Sequence, residues 1–228
     1  MPKYHRQFGI PFSRIHEDRD LTFIVPLKPR LLVGLVGLKL AGKRRVSNYL
    51  VEEQGFRGYS LAQALREMAS ALAIPIVDRS VLQDFGDELR RRRGKDCLAR
   101  HVVRQMYTDV VEHGVRLNEV VISGIKNCGE VEALSKIPNF FLVAVTATTA
   151  TRHQRGEHDG VFKGRVEDWE EKIDERDRQF ADQSGQQVGL CIERAAYRIE
   201  NDGTIEELMR RCSTMLELLR GEARKRAI

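Results

Sequence analysis

The sequence predicts an α/β fold, a five-stranded parallel sheet with helices on both faces, and three observations carry that expectation. Short apolar runs at about 31–36, 56–60, 119–123, 140–146 and 196–200 alternate with segments of helical spacing. Phe140–Ala147 is apolar throughout, as a parallel strand covered on both faces must be. Leu31–Arg44 reads as strand, glycine loop and helix in immediate succession. Ligands of such sheets bind beyond the carboxyl ends of the strands. That rule brings the loop after Val36, Ser123, the Thr146 region and Asn201 to one end.

Residues 1–30 read as an N-terminal extension. Tyr4, His5, Phe8, Phe12 and Arg14 are mixed with Pro11, Pro26 and Pro29 without sustained period, and only Leu21–Val25 suggests a strand. Such an arm either covers a site, joins a neighbouring subunit, or is a partly ordered terminus. The first strand of the sheet ends at Gly37, and Gly37 to Lys43 forms a G-x-x-x-x-G-K run. Between a strand and a helix this run wraps backbone N–H groups around a β-phosphate, and its lysine spans β- and γ-phosphates. The alternative is an ordinary glycine-rich βα turn. The hydroxyl that normally follows the lysine and holds Mg²⁺ is replaced by Arg44.

Val46, Tyr49, Leu50 and Val51 mark one face of the next helix, which Gly55 stops. After the strand at 56–60, Ser60 and Gln63 suggest a capping box for a helix whose apolar face is Leu61, Leu65, Met68, Ala69 and Leu72. In the helix from Asp78, the stripe Val81, Leu82, Phe85 and Leu89 leaves Arg79, Asp87 and Arg90 on more polar angles. Arginines there can fork a phosphate, and the carboxylate can accept a hydroxyl proton. The run Arg90–Arg93 before Gly94 otherwise reads as a solvated helix end. A helix from Asp96 to about His113 turns Leu98, Val102, Val103, Met106 and Val110 inward, and its His101 and His113 lack ligand spacing and are expected at the surface.

Glu119–Gly124 is a buried strand with its exit loop, and Ser123 occupies the position where an acidic residue normally positions Mg²⁺. A short helix from Thr148 to Arg155 follows the 140–146 strand. Gly156–Arg165 then has the glycine-punctuated, charged character of a lid, and the polar helix from Glu167 to Asp182 follows it. Arg152, Arg155, Arg165 and Arg176 are candidates to neutralise a transferred phosphate, each weighed against a surface charge. Tyr197–Glu200 is the last strand and Asn201-Asp202-Gly203 a turn. Thr204 with Glu207 forms a capping box, ahead of the core stripe Ile205, Leu208, Met209, Cys212, Met215, Leu216 and Leu219. The expected organisation is an extension at 1–30, one domain at 31–220 with a lid at about 152–182, and a basic tail at 221–228.

Composition narrows the classes. The balance of 38 basic and 33 acidic residues leaves +5, which suits a polyanionic ligand but is too mild for a dedicated nucleic-acid binder. No segment interleaves basic and aromatic residues, so nucleic acid is not an expected partner. Four scattered cysteines without a C-x-x-C pair suggest neither a disulfide framework nor zinc. There is no membrane-length apolar run and no signal pattern, and a cytoplasmic protein is expected.

On these residues the chain resembles the P-loop nucleotide and nucleoside-phosphate kinases, within them the dephospho-CoA kinase and deoxynucleoside monophosphate kinase group of AAA-family proteins. The resemblance runs from about Leu31 to Leu219. It rests on Gly37–Lys43, the Phe85-Gly-Asp-Glu-Leu-Arg90 run, Ile122–Asn127 with Glu130, the Asp-Glu-Arg-Asp stretch around Arg176, and the Tyr197–Thr204 ending. It implies a three-layer P-loop NTPase fold with ATP as the donor. ATP would lie on Gly37, Ala41, Gly42, Lys43, Arg44 and Arg45, with Arg165 or Arg176 on its phosphates and Asn201 to Gly203 near the adenine. Lys43, Asp87, Arg79, Arg165 and Arg176 are the implied catalytic set. Relatives place Ser, Thr or Asp at position 44, Asp at 123 and often Arg at 126, so Arg44, Ser123 and Lys126 depart at the metal site. Two readings follow. In the preferred one the chain transfers the γ-phosphoryl group of ATP to a small nucleotide or nucleoside-like acceptor, with Mg²⁺ held by phosphates and water, helped by Asp174, Asp177 or Asp87. In the other it is a nucleotide-binding or regulatory protein that has lost transfer. A homo-oligomer stays open.

Overall fold

The computed structural model describes residues 27–75, 79–160, 166, 168 and 186–226. The Leu21–Val25 strand and most of the lid, with Arg165, Asp174, Arg176 and Asp177, lie outside the described residues. The sheet consists of β1 (Leu31–Val36), β2 (Arg57–Ser60), β3 (Glu119–Ser123), β4 (Phe140–Thr146) and β5 (Tyr197–Glu200). Its order is β2-β3-β1-β4-β5, and all pairings are parallel. All six residues of the central β1 are buried, which explains its unbroken apolar run.

The described helices are α1 (Lys43–Asn48), running into a π-turn at Tyr49–Glu53, α2 (Leu61–Ala71), α3 (Arg79–Arg93) and α4 (Cys97–Val111). They continue with α5 (Cys128–Leu134), α6 (Thr149–His158), α7 (Val188–Glu193) and α8 (Ile205–Arg226). Apolar residues of α1, its π-turn and α8, among them Val46, Leu50, Leu208 and Met215, pack on one sheet face over Val33 and Leu35. Those of α2, α3, α4, α5 and α7 pack on the other face, over Leu32, Val36 and Ile122. The loops leaving β1 and β3 therefore depart to opposite faces, and a crevice opens between them at the carboxyl end of the sheet. No helix among the described residues is long and apolar enough to cross a membrane.

The structure corrects several local expectations. Val51 is 38% exposed, because the i→i+5 spacing of the π-turn rotates it off the inward face of α1. Ile205, the first residue of α8, is likewise exposed. Ser60 accepts from the Gln63 amide at 3.3 Å, but the Gln63 side chain turns to Glu67 instead of returning, so half the capping box forms. The Thr204–Glu207 box closes in both directions. The helix begun at Thr149 runs on to His158 and buries Arg152, whose Nε donates to the Ala147 carbonyl at 3.2 Å. His101 is half-buried, while His113 is exposed.

The largest correction concerns Arg90, which is 4% exposed instead of solvated. Its Nε and Nη2 donate to Glu130 Oε1 at 3.3 and 3.1 Å, and its Nη1 donates to Asp87 Oδ1 at 3.3 Å. Glu130 Oε2 accepts from the amides of Lys126 (2.7 Å) and Asn127 (3.3 Å), closing a capping box with Asn127 at the start of α5. One buried carboxylate thus ties α3 to the exit loop of β3. Burial opposes the charge on Arg90, but Glu130 and Asp87 outweigh it and keep the guanidinium ionised. Glu130→Ala strands that buried cation and two amides, so urea denaturation is expected to show a loss of about 3–5 kcal/mol. Glu132→Ala, which breaks only the exposed pair with Arg194, is expected to cost less than about 1 kcal/mol.

Candidate functional site

The loop between β1 and α1 is shaped by steric contacts and by donors that capture its carbonyls. Gly37 has φ +154° and lies so close to β4 that a Cβ would overlap the Val145 carbonyl oxygen. Leu40 takes a left-handed conformation at φ +62°, unusual for a residue with a side chain. Gly42 caps α1 at φ +104°, where a Cβ would overlap the Asn201 amide. Asn201, 5% exposed, donates from Nδ2 to the Ala41 carbonyl at 2.8 Å. Arg155 reaches across from α6, donating to the Leu40 carbonyl at 3.1 Å and the Asn201 carbonyl at 2.8 Å. Burial lowers the Arg155 pKa and Arg45 lowers it further, while Asp202 opposes the shift.

Lys43 Nζ folds back onto the Gly37 and Leu38 carbonyls at 2.7 and 2.8 Å. Four loop carbonyls, those of residues 37, 38, 40 and 41, are therefore held by side-chain donors. In a trans peptide the following N–H points opposite to its carbonyl, so the Gly42 amide faces away from Asn201. At the start of α1 the Arg45 and Val46 amides donate to the Gly42 carbonyl at 2.9 and 3.2 Å, and Gly42 contributes no side-chain cap. These features suit an anion at the mouth of the loop.

The metal positions have a different character. Arg44 is exposed, and the Ser123 hydroxyl donates to the Tyr59 carbonyl at 3.4 Å. Among the described residues no group of three His, Cys, Asp or Glu could hold a metal ion. A cation at position 44 and a hydroxyl engaged at 123 do not fit a Mg²⁺ ion held by the protein.

Beside the loop lies a cavity of about 590 Å³, bounded by the edge strand β2, α2 and α4, with Ser47 of α1 and Ser123 of β3 in its wall. Since Ser123 pairs in register with Leu35, two residues before Gly37, this cavity adjoins the loop between β1 and α1. Tyr59 OH donates to Asp109 Oδ2 at 2.5 Å, and Arg57 donates to the same oxygen at 3.2 Å. The Tyr59 hydrogen bond leads the effects that hold the Asp109 carboxyl below its usual range, while burial and Asp109 push the Tyr59 phenol upward. Gln63 and Gln105 donate to the two oxygens of Glu67 at 3.1 and 3.0 Å. Burial depresses the pKa of His101.

The sequence-predicted residues divide accordingly. Gly37, Ala41, Gly42, Lys43 and Asn201 come together at the loop. Arg44 and Arg45 stand exposed on the first turn of α1, and Gly203 is exposed in the turn beside Glu207. Asp87 faces Arg90 and does not line the cavity. Arg79 begins α3, with its side chain outside the description, as are Arg165 and Arg176. Glu67, Gln105 and Asp109 were not singled out from the sequence, and His101, expected at the surface, lines the cavity. A signal existed: 101, 105 and 109 recur every four residues on α4, on a strip flanking the buried Leu98, Val102 and Met106.

No protein-family model matches the chain. It is 28% identical over 193 residues to a UPF0200 protein of Methanothrix thermoacetophila, covering 82% of this chain and 97% of that one. It is 26% identical over 189 residues to a UPF0200/UPF0201 protein of Archaeoglobus fulgidus, covering 81% of this chain but only 54% of that protein, so it spans about half of that relative's length. Among solved structures it is similar to TT1252 from Thermus thermophilus (TM-score 0.54, 19% identity, 84% of this chain and 98% of that one). It is also similar to shikimate kinase from Acinetobacter baumannii in complex with shikimate (TM-score 0.50, 17% identity, 87% and 98%). The chain is thus similar in sequence to UPF0200 proteins and has the fold of P-loop small-molecule kinases.

Proposed function

We propose that this chain binds ATP on the Gly37–Lys43 loop and transfers its γ-phosphoryl group to a small nucleotide or nucleoside-like acceptor in the adjoining cavity. The reading follows the resemblance to dephospho-CoA and deoxynucleoside monophosphate kinases. The observation that carries it is the loop itself, with carbonyls drawn back by Lys43, Arg155 and Asn201, beside a cavity of ligand size. ATP supplies the transferred group. Lys43 exchanges its carbonyl partners for phosphate oxygens, and the amides at the start of α1 take the β-phosphate. Arg44 and Arg45 add positive charge at the mouth, with Arg79, Arg165 and Arg176 proposed on the phosphates. The carboxylates facing the cavity are Glu67 and Asp109, so one of them receives the acceptor's hydroxyl proton in preference to Asp87.

A second reading, nucleotide binding without transfer, is favoured by one observation, the pair Arg44 and Ser123 at the metal positions. A guanidinium offsets phosphate charge but does not draw oxygens into octahedral order. In both readings Mg²⁺ is left to the phosphates and water.

Two measurements test these proposals. By calorimetry, replacing Mg²⁺ with EDTA is expected to leave the ATP Kd within about threefold, about 0.7 kcal/mol. Lys43→Ala is expected to weaken binding by about 2–5 kcal/mol; an affinity indifferent to Lys43 would remove the cradle. Coupled ADP assays across nucleosides and nucleotides separate transfer from its loss. With an accepted substrate, removal of the base by Asp109→Asn or Glu67→Gln is expected to lower kcat by about 10²–10⁴-fold at unchanged ATP affinity. ADP formed only by an Arg44→Ser/Ser123→Asp variant, and never by the native chain, would establish the second reading.

A further inference from the structure

We propose that the end of the sheet opposite the phosphate loop binds a single nucleic-acid strand through its phosphates. Here β1, β3 and β4 begin, and the last turns of α8 pass beside them. A groove of about 990 Å³ opens between Lys28–Leu31, Asn118–Glu119, Pro138–Asn139 and the end of α8. Its wall carries Lys28, Arg30, Arg220, Arg224 and Arg226 against one carboxylate, Glu119.

That carboxylate is already engaged: Arg220 forks onto it from Nε at 2.8 Å and Nη2 at 2.6 Å. The Arg226 guanidinium lies over the Phe141 ring, 4.2 Å from its centroid, which holds the cation in place without neutralising it. Lys28, Arg30 and Arg224 are exposed and make no ion pair among the described residues. Four cations therefore surround one concavity, and among the described residues the carboxylates near them, Glu119 and Glu222, are already paired with Arg220 and Lys225. Such an arrangement focuses positive potential into the groove, and their mutual repulsion is relieved by a polyanion.

The features of the wall select the occupant. Three of the four cations are guanidinium groups, whose paired donors match phosphate oxygens. Phe141 is 4% exposed and lies under Arg226, so it offers no free face for base stacking, and recognition rests on the backbone. The volume lies at the upper end of the roughly 300–1,000 Å³ of small-ligand pockets, in an open groove that admits one strand. Lys28 and Arg30 come from one end of the chain and Arg224 and Arg226 from the other, so no single segment reads as a basic stripe.

Fluorescence anisotropy of the full chain with labelled oligouridine and oligothymidine tests the assignment. Four neutralised phosphates, at a log–log salt slope of about −0.7 each, predict affinity about fiftyfold weaker at 200 than at 50 mM salt. Lys28→Glu/Arg224→Glu changes two exposed side chains and is expected to weaken binding more than about tenfold and roughly halve the slope, with an unchanged thermal melt. Should that variant melt early, Arg224→Gln alone is expected to flatten the slope by about a quarter. Lys43→Ala should leave oligonucleotide binding intact. Absence of binding at 50 mM salt overturns the proposal, as does binding that survives charge reversal or disappears with Lys43. Equal competition by polyglutamate overturns it in favour of an acidic peptide.

Discussion

The site depends on how the peptide carbonyls of residues 37–41 are held. A loop that turns from a buried strand into a helix carries as many acceptors as donors, and an anion is attracted only where donors alone face it. Here the acceptors are occupied from behind: Lys43 takes Gly37 and Leu38, Arg155 takes Leu40, and Asn201 takes Ala41. Asn201 belongs to the loop after β5 and Arg155 to α6, while Gly37 is pressed against β4. The loop shape is thus set by three later parts of the chain, and Gly42 is the residue that lets Asn201 approach.

A comparable arrangement fixes the other wall. The exit loop of β3 begins at the cavity with Ser123 and ends at Asn127, where Glu130 accepts two of its amides. Because Glu130 is also the partner of buried Arg90, the position of this loop is linked to α3, and an apolar replacement at either residue would leave polar atoms unsatisfied. The exit loop reaches further still. Lys126 donates from Nζ to Gln186 at 2.8 Å, and its carbonyl accepts from the Gln187 amide at 2.7 Å, so α7 enters the fold at the same place.

The layered fold was legible because burial on both faces leaves a simple trace: β1, β3 and β4 are apolar runs, and α8 carries a strict stripe. The strand-to-helix turn at residues 37–42 was legible because its glycines are demanded by close approach, to Val145 at residue 37 and to Asn201 at residue 42. Arg90 was not legible. One arginine in a run of four looks like its neighbours until the partner is known, and that partner lies forty residues away in sequence. The cavity beside β2 escaped for a related reason, since Glu67 and Asp109 are exposed-looking helix residues whose shared face exists only after α2 and α4 pack. Val51 marks a different limit, because a helical period cannot reveal that the helix widens to a π-turn.

Charge at the metal positions has consequences that separate affinity from rate. Lys43, Arg44 and Arg45 crowd the start of α1, so a triphosphate meets ample positive charge without a protein-bound divalent ion. Arg155 stands behind the loop with its guanidinium committed to carbonyls, so it stiffens the cradle more than it neutralises the ligand. Binding requires only that the total charge be offset. Transfer requires the β- and γ-oxygens to be held in one arrangement as charge moves between them, which a compact octahedral ion does and a planar, mobile guanidinium does not. On the proposed reading, arginine in place of the usual hydroxyl preserves the charge that governs Kd and weakens the ordering that governs turnover. ATP affinity and phosphoryl transfer are on that reading separable in this chain, and position 44 bears on the second more than on the first.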